Sequence, residues 1–351
     1  MTRGSGQDRA TIRDVAALAG VSVATVSRVL GGEYPVATAT RTKVQRAMRE
    51  LDFVVNAHAR ALAGTNTKTV AFILDDVTGP FHALVARGVE DQATIEGRLC
   101  LLCTTHGDPQ RELDVVELMR EQHADAVIVL GGAYEDTEHL ERMTHFAHAL
   151  DRSGSRLVLC GRPPLGPDIP ATVVEYDNEG GAYAITSHLL SAGHRHIVFL
   201  GRVDKLTTTS QRLRGFTAAH HAYGLQPDPS LVFDGAFSRA SGIDRTIKLL
   251  AQGNPFTAIF AATDMVGAGV IAALRDANIR VPEDISLVGY DNIPLAEDLT
   301  PGLTTVHVPH EELGRTAVRL ALHRDRETSQ HVVLGTHIQV RKSVQPIRTG
   351  K

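Results

Sequence analysis

Apolar residues recur every three or four positions between residues 11 and 51, and the rhythm then changes. Ile12, Val15, Ala16 and Ala19 share one face of a predicted helix. Thr11 is its N-cap, and Asp14 is the third-position acid of a capping box. Gly20 can adopt the left-handed turn that ends such a helix. Val21 follows as an apolar plug, and Ser22 can cap a second helix over 23–30. A third amphipathic helix is predicted over 41–51, turning Val44, Ala47, Met48 and Leu51 inward. Two short helices joined by a glycine turn form a helix-turn-helix, although the spacing also describes any three-helix bundle.

From Lys68 onward, short apolar runs suited to buried parallel strands alternate with helical periodicity. The runs are 70–74, 100–102, 126–130, 157–159, 197–200, 258–261 and 285–289, and helical segments include 84–95, 110–123, 181–192 and 266–277. This alternation predicts a doubly wound α/β fold, and its length predicts two lobes. Ligands in such sheets bind at the carboxyl ends of strands. Those ends carry Asp75, Asp76 and Phe81, then Gly131 and Gly132, Gly161 and Arg162, and Glu175, Tyr176 and Asp177. Further along they carry Thr263 and Asp264, and Tyr290, Asp291 and Asn292.

Composition adds exclusions. Apolar content of 43% with 22% charged residues describes an ordinary globular chain, and no run reaches the ~18 apolar residues of a membrane span. Residues 1–10 are polar and glycine-rich, without the apolar stretch of a secretion signal, so a disordered tail and a cytoplasmic location are expected. Three cysteines cannot form a disulfide framework. Cys100 and Cys103, three apart on a strand, point to opposite faces and read as buried thiols. The histidines, densest at His194-Arg195-His196 and His220-His221, form no zinc pattern, and there is no P-loop or nucleophile elbow. Neither a metal, another cofactor nor an enzymatic activity is expected. Charge is divided unevenly: residues 1–64 hold nine Lys/Arg against five Asp/Glu, so a total of -4 splits into +4 there and -8 beyond. A basic head on an acidic body is the footprint of nucleic-acid binding.

The segment TIRDVAALAGVSVATVSRVL, residues 11–30, resembles the headpiece of the lac/gal repressor family nearly residue by residue. The resemblance continues through TRTKVQRAMRELDF and along the rest of the chain to about residue 345. It implies that the second helix enters the major groove of DNA. Val23 and Ala24 would take the positions that select operator sequence; being short and apolar, they can meet thymine methyls or exclude bulk. Arg28 would read guanine, while Thr11, Ser22, Thr25 and Ser27 would touch phosphates. Residues 56–64, NAHARALAG, resemble the family's hinge helix, which is too short to be stable alone and folds on DNA beside its twin. Asn56, Arg60 and Leu62 would contact DNA there, with Leu62 wedged into the central base step. Two positions depart from the family: Gly31 stands in place of the usual Asn, and Val55 in place of the usual Pro.

For the body, the resemblance implies a two-lobed, periplasmic-binding-protein-like (type I) core. The expected layout is a tail at 1–10, a headpiece at 11–55, a hinge at 56–67 and a core at 68–345. The first lobe would comprise about 68–165 and 297–325, the second about 166–296 and 326–345, with crossings near 162–168, 292–297 and 324–330. Strand 304–308 and helix 311–323 would return to the first lobe, and strands 331–334 and 338–343 would finish the second. Arg212 matches the family's ligand arginine, Asp291 its sugar-contacting carboxylate and Phe237 its stacking aromatic, whereas Thr263 replaces a common Asn. With Asp75, Phe81, Arg162 and Asp264 these complete the expected ligand set. Carboxylates and arginine satisfy paired hydroxyls, and a ring covers a sugar's apolar face, so a neutral sugar is the expected effector. A nucleoside or a phosphorylated protein corepressor is the alternative. The implied function is a transcriptional regulator, a repressor, acting as a homodimer on palindromic operator DNA and not at a membrane. A solute-binding protein would lack the basic head, and an enzyme would need a catalytic constellation that the sequence lacks. After Ser343 no leucine heptads remain, so a dimer is expected in preference to a tetramer.

Overall fold

The structure is a computed structural model that describes residues 10–31, 35–53, 68–253, 255–323 and 330–347. The expected hinge, with Asn56, Arg60 and Leu62, and most of the expected tail lie outside these residues. The chain divides into two compact units, Met1–Thr67 and Lys68–Lys351.

The head contains α1 (Ile12–Ala19), α2 (Val23–Gly31) and α3 (Thr38–Glu50). The capping box forms: the Thr11 hydroxyl and backbone N–H donate to Asp14 Oδ2 at 2.7 and 2.8 Å, and Thr11 Oγ1 accepts from the Asp14 N–H at 3.4 Å. Gly20 turns left-handed with φ 67°, and Ser22 Oγ accepts from the Thr25 N–H at 3.1 Å. Val15, Ala16, Val26, Val44 and Ala47 form the small core. The third helix begins earlier than expected, at Thr38, because its polar first turn carries no apolar signal.

The core runs β1 (Thr69–Leu74), α4 (Pro80–Ile95), β2 (Leu99–Thr104), α5 (Pro109–Glu121), β3 (Ala126–Leu130), α6 (Thr137–Arg152), β4 (Leu157–Cys160) and β5 (Ala171–Tyr176). It continues with α7 (Asn178–Ser191), β6 (Ile197–Arg202), α8 (Thr207–Ala222), β7 (Val232–Asp234), α9 (Arg239–Gln252), β8 (Ala258–Ala261), α10 (Asp264–Asp276) and β9 (Ser286–Asp291). Last come α11 (Leu295–Asp298), β10 (Thr304–His307), α12 (His310–Leu322), β11 (His331–Leu334) and β12 (His337–Gln339). Two six-stranded sheets result, ordered β11-β5-β4-β3-β1-β2 and β12-β10-β9-β8-β6-β7, parallel except where β12 meets β10. Helices cover both faces, which is why β1, β3, β4 and β5 are buried along their whole length and why β3 and β4 read as unbroken apolar runs.

Sheet membership corrects the expected lobes. Strand β5 pairs with β4 in the first sheet, and β10 pairs with β9 in the second, so neither 162–168 nor 292–297 is a crossing. Those Pro-containing stretches resemble linkers but join adjacent strands. Strand β11 pairs with β5, so it belongs to the first sheet and not to the second lobe. Helix α12 packs on β4 and β5, as expected for the first lobe, so the elements flanking the expected crossing at 324–330 both belong to that lobe; residues 324–329 lie outside the described ones. The crossings instead follow Tyr176, His307 and Leu334. Cys100 and Cys103 do pack on opposite faces, but both are only half-buried because β2 is an edge strand.

Glycines set how closely the covering helices approach. A methyl at Gly88 in α4 would fall on the Glu311 carbonyl of α12, and one at Gly314 in α12 on the Val85 carbonyl of α4. The two backbones therefore touch. Gly215 permits the same approach of α8 to α7, and Gly242 and Gly269 that of α9 to α10. Gly88→Ala should cost about 1–3 kcal/mol by overpacking, read as a lower urea midpoint at unchanged slope.

Candidate functional site

Two surfaces carry the expected chemistry. On α2, Val23, Ala24, Ser27 and Arg28 are exposed while Val26 is buried, so these four side chains form one outward strip. Thr11 and Ser22 are exposed at the helix starts, and Thr25 is half-buried with its hydroxyl 2.9 Å from Ser22 Oγ.

In the core, a cleft of about 500 Å³ lies where the strand ends of the two sheets face each other. Asp75, Phe81, Arg162, Arg212, Phe237, Thr263 and Asp291 all line it. Thr263 also caps α10, accepting from the Val266 N–H at 3.2 Å. Asp264 is a correction. It is fully buried beneath the cleft wall, accepting from Thr305 Oγ1 at 2.5 Å and from the Ile293 N–H at 2.9 Å. The first residue of α10 points inward, and there it fixes the turn that presents Asp291.

Arg212 is 1% exposed. Its Nε donates to Asn178 Oδ1 at 2.9 Å, Nη1 to the Ala262 carbonyl, and Nη2 to Tyr176 Oη at 3.3 Å and Asp291 Oδ1 at 3.2 Å. Its guanidinium carbon lies 3.7 Å from the centre of the Tyr290 ring. Asp291 and Asn292 have positive φ of 108° and 58°, a strained pair of the kind held only where surrounding contacts over-determine it. Asn292 supplies such contacts: its Oδ1 accepts from Arg341 Nη2 at 2.8 Å, and its Nδ2 faces His307 Nδ1 at 3.0 Å. Burial raises the pKa of Asp264 well above the carboxylate range, and the Asp291 charge adds to this. Burial also lifts Asp291 to about 6, against the pull of Arg212.

Arg162 is equally committed. Its Nε donates to the Gly131 carbonyl at 2.8 Å, Nη1 and Nη2 grip Glu112 at 2.9 and 3.0 Å, and Nη2 also reaches the Leu130 carbonyl at 3.1 Å. Glu112 further accepts from His139 Nε2 at 3.1 Å. Against the upward push of burial, the charge of Arg162 and these hydrogen bonds hold the Glu112 carboxyl at about 2. Asp75, by contrast, is exposed, and its carboxylate accepts only from the Thr105 hydroxyl, at 3.3 Å, among the described residues.

Glu112, His139, Tyr134, Tyr176 and Leu206 also line the cleft, outside the expected ligand set. Tyr176 ends a strand and was within reach of the strand-end rule. Glu112 lies one turn into α5, whose cap Asp108 follows β2, so reading one helical turn past each strand would have found it. Among the described residues, no group of His, Cys, Asp or Glu could hold a metal, and no helix is long and apolar enough to cross a membrane.

Because the folded Glu112 pKa lies below its ordinary 4.5, its stabilising share is full above pH 4.5 and is lost as pH falls towards 2. Glu112→Gln should lower unfolding free energy at neutral pH by about 3 kcal/mol and flatten the loss of stability below pH 4.5, measured by urea titration at several pH values.

Comparison with known proteins gives this geometry a lineage. Residues 11–56 match the family of bacterial regulatory proteins called lacI, and residues 186–344 match a periplasmic-binding-protein-like domain. The HTH-type transcriptional regulator DegA of Bacillus subtilis is 34% identical over 346 residues, covering 97% of this chain and 100% of DegA. A solved complex of the transcriptional regulator CelR with cellobiose is 34% identical with a TM-score of 0.70, covering 95% of this chain and 100% of that one. The lac repressor dimer bound to operator and the anti-inducer ONPF shares the fold, with a TM-score of 0.82 at 23% identity over 96% of this chain and 100% of that one. The chain belongs to the lacI family and is a transcriptional regulator with a helix-turn-helix DNA-binding head and a periplasmic-binding-protein-like core.

Proposed function

We propose that the protein is a cytoplasmic repressor that binds a palindromic operator as a homodimer and is controlled by a neutral sugar in the interlobe cleft. The observation that carries the effector class is the commitment of both cleft arginines. Arg162 is neutralised by Glu112, and Arg212 is held by Asp291, Asn178 and the Ala262 carbonyl. Among the described residues lining the cleft no guanidinium is left to meet a phosphate, whereas Asp75 keeps acceptor capacity for hydroxyls and Phe81 and Phe237 supply aromatic lining. The cellobiose complex of the related CelR supports a sugar, and the operator-bound lac repressor dimer supports the DNA arrangement. The outward strip of α2 would read the major groove through Val23, Ala24 and Arg28, with Ser27, Thr25, Ser22 and Thr11 towards phosphates. Asn56, Arg60 and Leu62 would extend the contact into the minor groove. Effector binding need shift operator affinity by only about 1–3 kcal/mol to act as a switch.

A thermal-shift screen against sugars and nucleosides tests the effector. A rise in Tm with a sugar supports the reading, a rise with nucleosides alone overturns it, and no rise points to a protein corepressor. Phe237→Ala should then weaken that sugar by about 1 kcal/mol while leaving ligand-free operator binding unchanged. Arg28→Ala should weaken operator binding by about 1–3 kcal/mol at fixed salt, measured by fluorescence anisotropy on the selected site. Unchanged binding would remove Arg28 from the base-reading set.

A further inference from the structure

The two lobes meet at a place other than their three crossovers. The turn after β3, residues 131–135, lies edge to edge with the turn after β6, residues 203–207. The Glu135 N–H donates to the Lys205 carbonyl at 2.8 Å, and the Thr207 N–H donates to the Ala133 carbonyl at 3.0 Å. The Ala133 N–H donates to Thr207 Oγ1 at 3.0 Å, and Tyr134 and Leu206 pair as an antiparallel bridge. Gly132 allows the approach, because a Cβ there would press on Thr208 Oγ1 and the Leu206 side chain. Lys205 takes a left-handed φ of 55° to present its carbonyl.

Neither turn belongs to a crossover. In the sheets, β3 stands two strands from β5, and β6 stands three strands from β10. At roughly 4.8 Å per strand, the contact lies about 10–15 Å from the crossover strands. A rotation of one lobe about the crossovers would therefore pull these turns apart, and their hydrogen bonds would break together. Gly132, Ala133, Tyr134, Leu206 and Thr208 also line the cleft.

We infer that this pair of turns is a latch on the effector cleft, holding the lobes closed so that the cleft opens only when the ladder parts. The latch is independent of which molecule the cleft accepts, and its test needs no effector.

The variant Tyr134→Cys/Leu206→Cys puts two thiols on paired positions of an antiparallel bridge. Such positions are about 4.5–5.5 Å apart at Cα, inside the roughly 4.4–6.8 Å span of disulfides. Under mild oxidation of the ligand-free full chain, the two introduced thiols should join almost completely within one molecule, scored by peptide mass mapping. The control pair Tyr134→Cys/Tyr223→Cys should stay reduced. Adding Gly132→Val, which wedges the turns, or Thr207→Val, which removes one bond without adding bulk, should slow cross-linking about tenfold at unchanged circular dichroism. Cross-linking no faster than in the control pair overturns the latch, and so does a rate indifferent to Thr207→Val. The Thr207 variant keeps the test decisive if the Gly132 variant fails to fold.

Discussion

Arg212 is a cation held almost wholly out of water, and the middle of the core is arranged to make that tolerable. A buried guanidinium needs acceptors in fixed directions and a counter-charge nearby, or the cost of leaving water is not recovered. Tyr176 at the end of β5, Asn178 at the start of α7, Ala262 after β8 and Asp291 at the end of β9 provide them. One side chain thus fixes the first crossover between lobes, the floor of the cleft and the turn bearing the strained Asp291–Asn292 pair. It is also the counter-charge for Asp291, whose own charge adds to the cost of ionising the buried Asp264.

How much of this was legible in the sequence depended on how local the cause was. The head was read nearly to the residue, because a capping box, a left-handed glycine and a helical stripe each act within one turn of chain. Apart from β5, which carries Thr172 and Glu175, and the short β7, both outside the expected runs, most strands were equally plain, since burial on both faces leaves an unbroken apolar run. Lobe membership was not, because it rests on which strands pair. The irregular stretch before β5 and the short α11 before β10 look like exits from a sheet but are connections inside one. Within the site, strand ends supplied most cleft residues, but Thr263 and Asp264 are equivalent in sequence, and only the start of α10 turns one outward and the other in. The commitment of Arg162 was also hidden, because its partner Glu112 is 50 residues away.

Head and core differ in how they meet their ligands. The head presents exposed side chains in the segment that holds the chain's excess of basic residues, where a long-range field matters. The cleft presents arginines whose charges are already balanced, so selection there depends more on hydrogen-bond geometry and the acceptor capacity of Asp75 than on a free positive charge.

The glycine crossings have a consequence for how such a regulator can be altered. Gly88, Gly215, Gly242, Gly269 and Gly314 lie at helix contacts where no side chain fits, so the scaffold is closed to substitution at these points. The residues proposed above to face DNA and effector lie elsewhere, on the outer strip of α2 and around the cleft. Changes that redirect the protein to another operator or another small molecule can therefore accumulate without testing the fold, and the two addresses can be rewritten separately.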